Sequence, residues 1–333
     1  MPETLSISSF LQSPGAILDV RTPMEYAKGH IPGSFNLPLL SNEQRAEVGT
    51  VYKRVDSISA IELALRLIPP NLRNFIALAK KFCPKHFAKI LCWRGGMRSS
   101  SVALLLHQQG INTCCLKGGY KSFRKWTLDN LKKPLPIKVL TGLTGSGKTK
   151  ILHCLEEMGE QILDLEALAN HRGSTFGEIG PQPSNEQFEN DIAKKWASFN
   201  PERAVWIEDE SRLIGNCVIP ADLFNQKQKA PLTQITIPFQ ERSENLKRDY
   251  AFFDKAKAIK ATLFLKKRLG GLRTKQILHA INSGDFSSAS NYLLEYYDKT
   301  YLFSLSRRTQ KIESLSAEKL SPKQWAKKIL AHP

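Results

Sequence analysis

Two short stretches of this 333-residue chain hold the residue types that chemistry requires. In Leu91-Cys92-Trp93-Arg94-Gly95-Gly96-Met97-Arg98-Ser99 a thiol is followed by two glycines and two arginines. Such a loop can wrap backbone amides around a thiolate or a tetrahedral anion, with Gly95 and Gly96 permitting the curl. With Arg98 and Arg94 beside it, the cysteine pKa would fall from about 8.5 into a range of roughly 3.5–7.5. In Gly142-Leu143-Thr144-Gly145-Ser146-Gly147-Lys148-Thr149 the spacing G-x-x-x-x-G-K-[ST] is complete. Its amides and Lys148 would bind a diphosphate or triphosphate, and Thr149 would sit near a Mg2+ ion.

Both loops need a strand before them and a helix after. Lys89-Ile90-Leu91 reads as a strand with Cys92 at its end, and Ser99 to Gln109, closed by Gly110, as a helix. Ile137 to Leu140 and Lys150 to Leu155 do the same for the second loop. Upstream, Ile17 to Val20 reads as a buried strand and Met24-Glu25-Tyr26 as a turn or short helix. The Gly/Pro-punctuated run from Gly29 to Pro38 reads as a loop leading to another strand. Cys114 and Cys115 lie in an apparent strand and read as core. Ala204 to Ile207 reads as a buried strand running into Glu208-Asp209-Glu210-Ser211, the natural place for an acidic group that holds metal or orients substrate. Glu208 is first by position and Glu210 second; a solvated acidic turn is the alternative. His171, Arg172 and Ser174, with Gly173 and Phe176-Gly177, form a polar loop that taken alone is more often a structural turn. Beyond about residue 240 the chain reads mainly as helices with basic faces, Glu241 to Lys260 and then Ala261 to Arg268. Tyr292, Tyr296, Tyr297 and Tyr301 recur there at helical spacing and read as core, with base stacking the alternative.

The expected architecture is α/β: a domain over 1–130, a linker over 131–136, a P-loop NTPase-like domain over 137–240 and a mainly helical region over 241–333. With 41% hydrophobic and 24% charged residues, disorder is not the default, and no apolar run approaches the ~18 residues of a membrane span. The start lacks a secretory pattern, so a cytoplasmic location is expected. Six cysteines without a C-x-x-C pair suggest reduced thiols and no metal centre. A net charge of +17 points to a polyanionic partner, nucleic acid first, with generic solubility the bland alternative. Residues 1–128 hold 17 Lys and Arg against 7 Asp and Glu, so the charge is spread along the chain.

Asp19-Val20-Arg21, Glu25-Tyr26, Gly29-His30-Ile31-Pro32-Gly33, the cysteine loop, Gly118-Gly119-Tyr120 and Trp126 together resemble a rhodanese domain over roughly residues 5–128. Rhodaneses carry sulfur as a persulfide on the loop cysteine, usually in a C-x4-R ring. Here Cys92 to Arg98 is C-x5-R, which resembles rhodanese-fold phosphatases and should hold a larger tetrahedral anion; the histidine usual before their cysteine is Leu91. A rhodanese domain followed by a P-loop domain resembles the tRNA 2-selenouridine synthase family. The stretch from Pro38 to Lys53, His171 to Ser174, Phe176-Gly177, Glu208 to Arg212 and Arg268-Leu269-Gly270-Gly271 extend the match. That resemblance implies a tRNA partner carrying 2-thiouridine at the wobble position. It further implies co-substrates geranyl diphosphate and selenophosphate, an S-geranyl-2-thiouridine intermediate, and no tightly bound cofactor. On it, Cys92 handles selenium, with a perselenide as one route, and Trp93, Arg94, Gly95, Gly96, Met97 and Arg98 form the selenophosphate loop. Gly142, Gly145, Ser146, Gly147, Lys148 and Thr149 hold the diphosphate. The rivals are a sulfurtransferase with a regulatory nucleotide-binding domain, a phosphatase using Cys92, and a non-enzymatic RNA-binding protein.

Overall fold

Each of the two loops leaves the central strand of a five-stranded parallel sheet. The computed structural model describes residues 2–68, 71–172, 177, 179–250, 255–306 and 308–332. The chain forms two compact units, Met1–Asn130 with Ser184–Lys194, and Leu131–Pro183 with Lys195–Pro333.

In the first unit β1 (Glu3–Leu5), β2 (Ala16–Asp19), β3 (Phe35–Asn36), β4 (Phe87–Leu91) and β5 (Asn112–Leu116) lie in the order β1-β5-β4-β2-β3, all pairs parallel. The central β4 is almost wholly buried, so its side chains form a run rather than an alternation. Lys89 within it is buried too. Its ammonium donates to Phe10 O at 3.1 Å and Ser13 O at 2.7 Å, at the C-terminus of the helix Ile7–Gln12, where the helix dipole favours a cation. The helix Met97–Gln108 packs Val102, Ala103 and Leu106 onto the sheet and ends before Gly110, at φ +79°. The strand expected after Pro38 is absent: β3 falls inside the Gly/Pro run. Three helices follow it, Asn42–Arg54, Ser57–Leu67 and Leu72–Phe82, the first two started by side-chain caps from Ser41 and Asp56.

The second unit holds β6 (Ile137–Thr141), β7 (Gln161–Leu163), β8 (Val205–Glu208), a small antiparallel pair β9 (Leu213–Ile214) and β10 (Cys217–Val218), β11 (Leu232–Thr236) and β12 (Ile312–Ser316). Its main sheet runs β12-β11-β6-β8-β7, again parallel. The fold class is therefore the expected one, with P-loop-type α/β layers and a helical C-terminal part. Two expectations for that part need correction. β12 and the helix Pro322–Leu330 complete the sheet's core, where Leu315, Trp325, Ala326 and Ile329 pack with Leu140, Ile151, Leu152 and Trp206. The helix break placed after Lys260 is also absent. The helix Lys255–Phe264 runs across it, with no Gly or Pro at that point to end it, and gives way at Leu265 to the short helix Lys266–Leu269, which stops at Gly270. That helix packs with Gly271–Asn282 and Phe286–Leu305 around Ala258, Ile277, Ala280, Ile281 and Ala289, and Tyr292 lies against this cluster as core. No helix among the described residues is long and apolar enough to cross a membrane.

Candidate active sites

Cys92 follows β4 directly, 3% exposed, and the next helix begins at Met97. Two loops interlock around it. Tyr120 N donates to Cys92 O at 2.8 Å, and Lys121 N to Trp93 O at 3.0 Å. A Cβ on Gly119, at φ +59°, would stand 2.3 Å from Cys92 O, and one on Gly95, at φ +67°, 2.6 Å from Leu116 O. These glycines are required by contact as well as by backbone angle.

The Cys92 Sγ lies 3.3 Å from Ser99 Oγ. Burial alone would raise the thiol, yet it is held below its ordinary value by the Ser99 hydroxyl and amide, the Arg98 charge and the Gly96 backbone. Each of the other five cysteines is pushed up by burial, Cys115 to about 11. Cys92 is thus the one thiol of the six built to ionise.

Arg98 Nη1 donates to Glu25 Oε2 at 3.1 Å. Burial pushes the Glu25 carboxyl up, but the Arg98 charge and the Thr22 amide outweigh it and hold the carboxyl low. Glu25 belongs to the capping box of the helix Pro23–Lys28, so this helix fixes the arginine over the loop. The other loop positions divide. Arg94 and Met97 are exposed, whereas Trp93 packs at 5.7 Å on the Tyr120 ring and 5.9 Å from the buried Arg21 guanidinium. Ser99 and Glu25 are the contributors to which residue spacing assigns no role. Ser99→Ala should raise the thiol and slow iodoacetamide alkylation at neutral pH by about tenfold. An alkylation-versus-pH midpoint equal to that of the unsubstituted protein would remove Ser99 from this account.

The second loop follows β6. Gly145 and Gly147 have φ +81° and +77°, and a Cβ on Gly145 would meet Arg242 O at 2.7 Å. Arg242 Nη1 donates to Thr144 O at 3.1 Å, both its Nη atoms pair with Asp298, and Asn245 Nδ2 donates to Gly145 O at 2.9 Å. Lys148 Nζ donates to Gly142 O at 2.8 Å across the loop. Ser146 is buried with no partner on Oγ among the described residues.

The acidic triplet closes β8: Glu208 is its last residue, and Asp209 and Glu210 follow in the loop, where Glu210 N donates to Glu208 O at 2.8 Å. Burial raises the carboxyls of both Glu208 and Glu210 against the opposing Lys148 charge; the Glu210 charge adds to the rise at Glu208, which reaches about 8, and the Asp209 and Asp164 charges add to it at Glu210. Asp209 has partners of its own. It accepts from Thr141 at 2.9 Å, Lys227 at 3.3 Å and Arg308 at 2.5 Å, and those cations keep it ionised despite burial. A third carboxylate joins the Lys148 side: Glu166 accepts from Thr149 Oγ1 at 3.3 Å and is raised by burial to about 9. No motif marks Glu166; its distance from the P-loop in sequence hides it. Tyr301 bonds to Thr141 beneath the loop. His171 is buried and its amide donates to Glu166 O at 3.0 Å, while Arg172 N donates to Gly177 O at 2.8 Å. Ser174 lies outside the described residues. Among those described, no group of three His, Cys, Asp or Glu is arranged to hold a metal ion. Beside the loop a cavity of about 460 Å3 is bordered by Ser146, Gly147 and Lys150, with Ile151, Ile237, Leu320 and Trp325 supplying apolar walls.

Comparison with known proteins agrees with both units. Residues 6–125 match the rhodanese-like domain, and residues 135–331 match the tRNA 2-selenouridine synthase AAA domain. The tRNA 2-selenouridine synthase of Aeromonas salmonicida is 35% identical, over 94% of this chain and 93% of that protein. Those of Marinobacter nauticus and Proteus mirabilis are 31% and 33% identical, over 93% and 94% of this chain and 94% and 96% of theirs. With both domains matched in order and relatives aligned over nearly its whole length, the chain belongs to the tRNA 2-selenouridine synthase family.

Proposed function

We propose that this tRNA-modifying transferase converts wobble 2-thiouridine to 2-selenouridine in two steps, one at each loop, in the cytoplasm. The observation that carries the reading is a single depressed thiol, Cys92, in an enlarged anion loop on a chain that also holds a complete P-loop.

In the first step the thiouracil sulfur bonds to C1 of geranyl diphosphate as the C–O bond breaks. Diphosphate departs and the N3 proton leaves the base. Lys148 and the Gly145 and Gly147 amides neutralise the charge that grows on the diphosphate, which lowers the barrier electrostatically. The cavity beside Ser146 and Gly147 suits an apolar tail, since pockets of roughly 300–1,000 Å3 bury ligands of this size class. Glu208 and Glu166, raised to about 8 and about 9, are largely protonated at neutral pH and take up the base's proton only once ionised, which rising pH or a nearby cation favours. The same donors suit a magnesium ion, which binds through one or two carboxylates and substrate phosphates: Glu208 Oε1 is buried without a partner, and Thr149 Oγ1 is near. When bound, such an ion would add charge against the diphosphate.

In the second step the phosphate end of selenophosphate lies in the Cys92 loop, held by Arg98 and the Gly95 and Gly96 amides. The Cys92 thiolate attacks phosphorus and the P–Se bond breaks; the selenide released takes the place of the S-geranyl group at C2, geranylthiol leaves with the proton, and water then hydrolyses the S–P bond to free phosphate and the thiol. A thioether leaves C2 far more readily than a thiocarbonyl sulfur, which gives the first step its purpose. The wobble base lies in a single-stranded loop and can be turned outward at modest cost.

Nucleoside mass spectrometry of 2-thiouridine tRNA incubated with the protein tests this. With both co-substrates 2-selenouridine should form, and with geranyl diphosphate alone the S-geranyl nucleoside should accumulate. An unchanged base in the presence of folded protein and both co-substrates would sink the proposal.

A further inference from the structure

From Lys255 to Gly284 the chain contains no Asp or Glu, yet it carries eight Lys and Arg. Of these, Arg273 pairs with Glu295 at 2.8 Å, and Lys255 donates to Asn282 O at 3.0 Å. Lys257, Lys260, Lys266, Lys267, Arg268 and Lys275 are exposed and form no ion pair among the described residues. They stand on three successive helices, Lys255–Phe264, Lys266–Leu269 and Gly271–Asn282. These helices share their own apolar core, so the basic side chains are displayed on a packed scaffold.

The first helix is two-sided. Ala258 and Thr262 are buried, whereas Lys257, Lys260 and Phe264 recur at the three- and four-residue steps of one helical stripe. Phe264 closes that stripe with its ring 79% exposed. Among the described residues no ring or cation packs on this aromatic. An exposed ring beside unpaired cations is the combination that single-stranded nucleic acid needs, since the ring stacks on bases while the cations follow phosphates.

We infer that the helices from Lys255 to Asn282 form an RNA-docking surface that holds the phosphate backbone of the substrate tRNA, with Phe264 as a stacking platform. The inference rests on the reading of tRNA as substrate and adds where the chain grips it. An anionic membrane would also attract the cations. The exposed apolar residues here, Leu263, Phe264 and Leu272, are too few for a continuous lipid-facing side, and the remaining large apolar residues turn toward the shared core.

The test is binding of fluorescein-labelled 2-thiouridine tRNA, read by anisotropy between 50 and 300 mM salt on the order used for such titrations. The quadruple variant Lys257→Glu, Lys260→Glu, Lys266→Glu, Lys267→Glu should bind at least about a hundredfold more weakly, with a shallower salt slope. Phe264→Ala should lose about fivefold or more without changing that slope. Pyrophosphate binding, read by calorimetry on the same variants, should be unchanged and reports that the unit is folded. Lys81→Glu with Lys85→Glu, exposed in the other unit, is the control for bulk charge. Equal losses in this control, or a quadruple variant that binds tRNA normally, overturn the inference. So does a quadruple variant that keeps its tRNA affinity but no longer sediments with phosphatidylserine vesicles. If the unsubstituted protein binds tRNA through these lysines yet leaves 2-thiouridine unmodified, the docking surface stands and the proposed reaction falls.

Discussion

Cys92→Ser should halt 2-thiouridine tRNA at S-geranyl-2-thiouridine, with 2-selenouridine formation reduced by about a thousandfold or more. The surroundings of Cys92 are matched to negative charge on sulfur. The Ser99 hydroxyl and amide and the Arg98 guanidinium together outweigh a burial that would otherwise keep the thiol neutral. A serine hydroxyl in the same place ionises far less readily, so the same donors cannot make it a comparable nucleophile. The substitution exchanges sulfur for a smaller oxygen and leaves the backbone contacts from Tyr120 to Cys92 O in place, so the unit should remain folded. Nor is a substitute thiol at hand in the loop: burial, with the charges of Cys114 and Cys92, raises Cys115 to about 11. Mass spectrometry would show the geranylated nucleoside accumulating at the normal rate while the selenium product is missing. Selenouridine formed at near-normal rate by Cys92→Ser would remove the thiol from the reaction.

The two loops were legible because each states its own backbone requirements locally. Gly95, Gly145 and Gly147 take positive φ angles, and Lys148 closes on the carbonyl of Gly142 within the same motif. The strands at Ile17, Lys89, Ile137 and Ala204 were legible for the same reason, as short buried runs. What stayed hidden depends on distance along the chain. Glu166 reaches Thr149 from a helix with no motif, and Glu25 reaches Arg98 across 73 residues. β12 is an edge strand of mixed polarity, Ile-Glu-Ser-Leu-Ser, recognisable only once β11 lies beside it. The segment Ser184–Lys194 joins the first unit through partners far away in sequence: Glu186 and Asn190 meet the Tyr120 hydroxyl, and Asn190 also meets His30 O. The acidic triplet shows the limit within a motif. Adjacent letters Glu208, Asp209 and Glu210 look equivalent until the fold sets Lys227 and Arg308 against Asp209 and leaves the other two in the field of Lys148.

Lys148→Ala should leave 2-thiouridine largely untouched, with S-geranylation slowed by about a hundred- to a thousandfold. The argument is electrostatic on two counts. The ammonium is the cation that the loop directs at a departing diphosphate, and without it the leaving group's charge rests on backbone amides alone. Lys148 is also the cation that opposes the upward pull on Glu166, Glu208 and Glu210. Once it is removed, these carboxyls move further up and stay neutral at higher pH, so the alkylation that remains should recover only under more alkaline conditions. The sign follows from the protonated form being the uncharged one: burial and mutual repulsion favour it, and only rising pH restores the anion. The decisive control bypasses the first step. Given tRNA that already carries S-geranyl-2-thiouridine, Lys148→Ala should still produce 2-selenouridine with selenophosphate, because Cys92 and its loop belong to the other unit. If the variant fails equally on both substrates while folded, the two loops do not divide the chemistry. If it geranylates normally, the diphosphate is bound elsewhere and the P-loop serves another ligand.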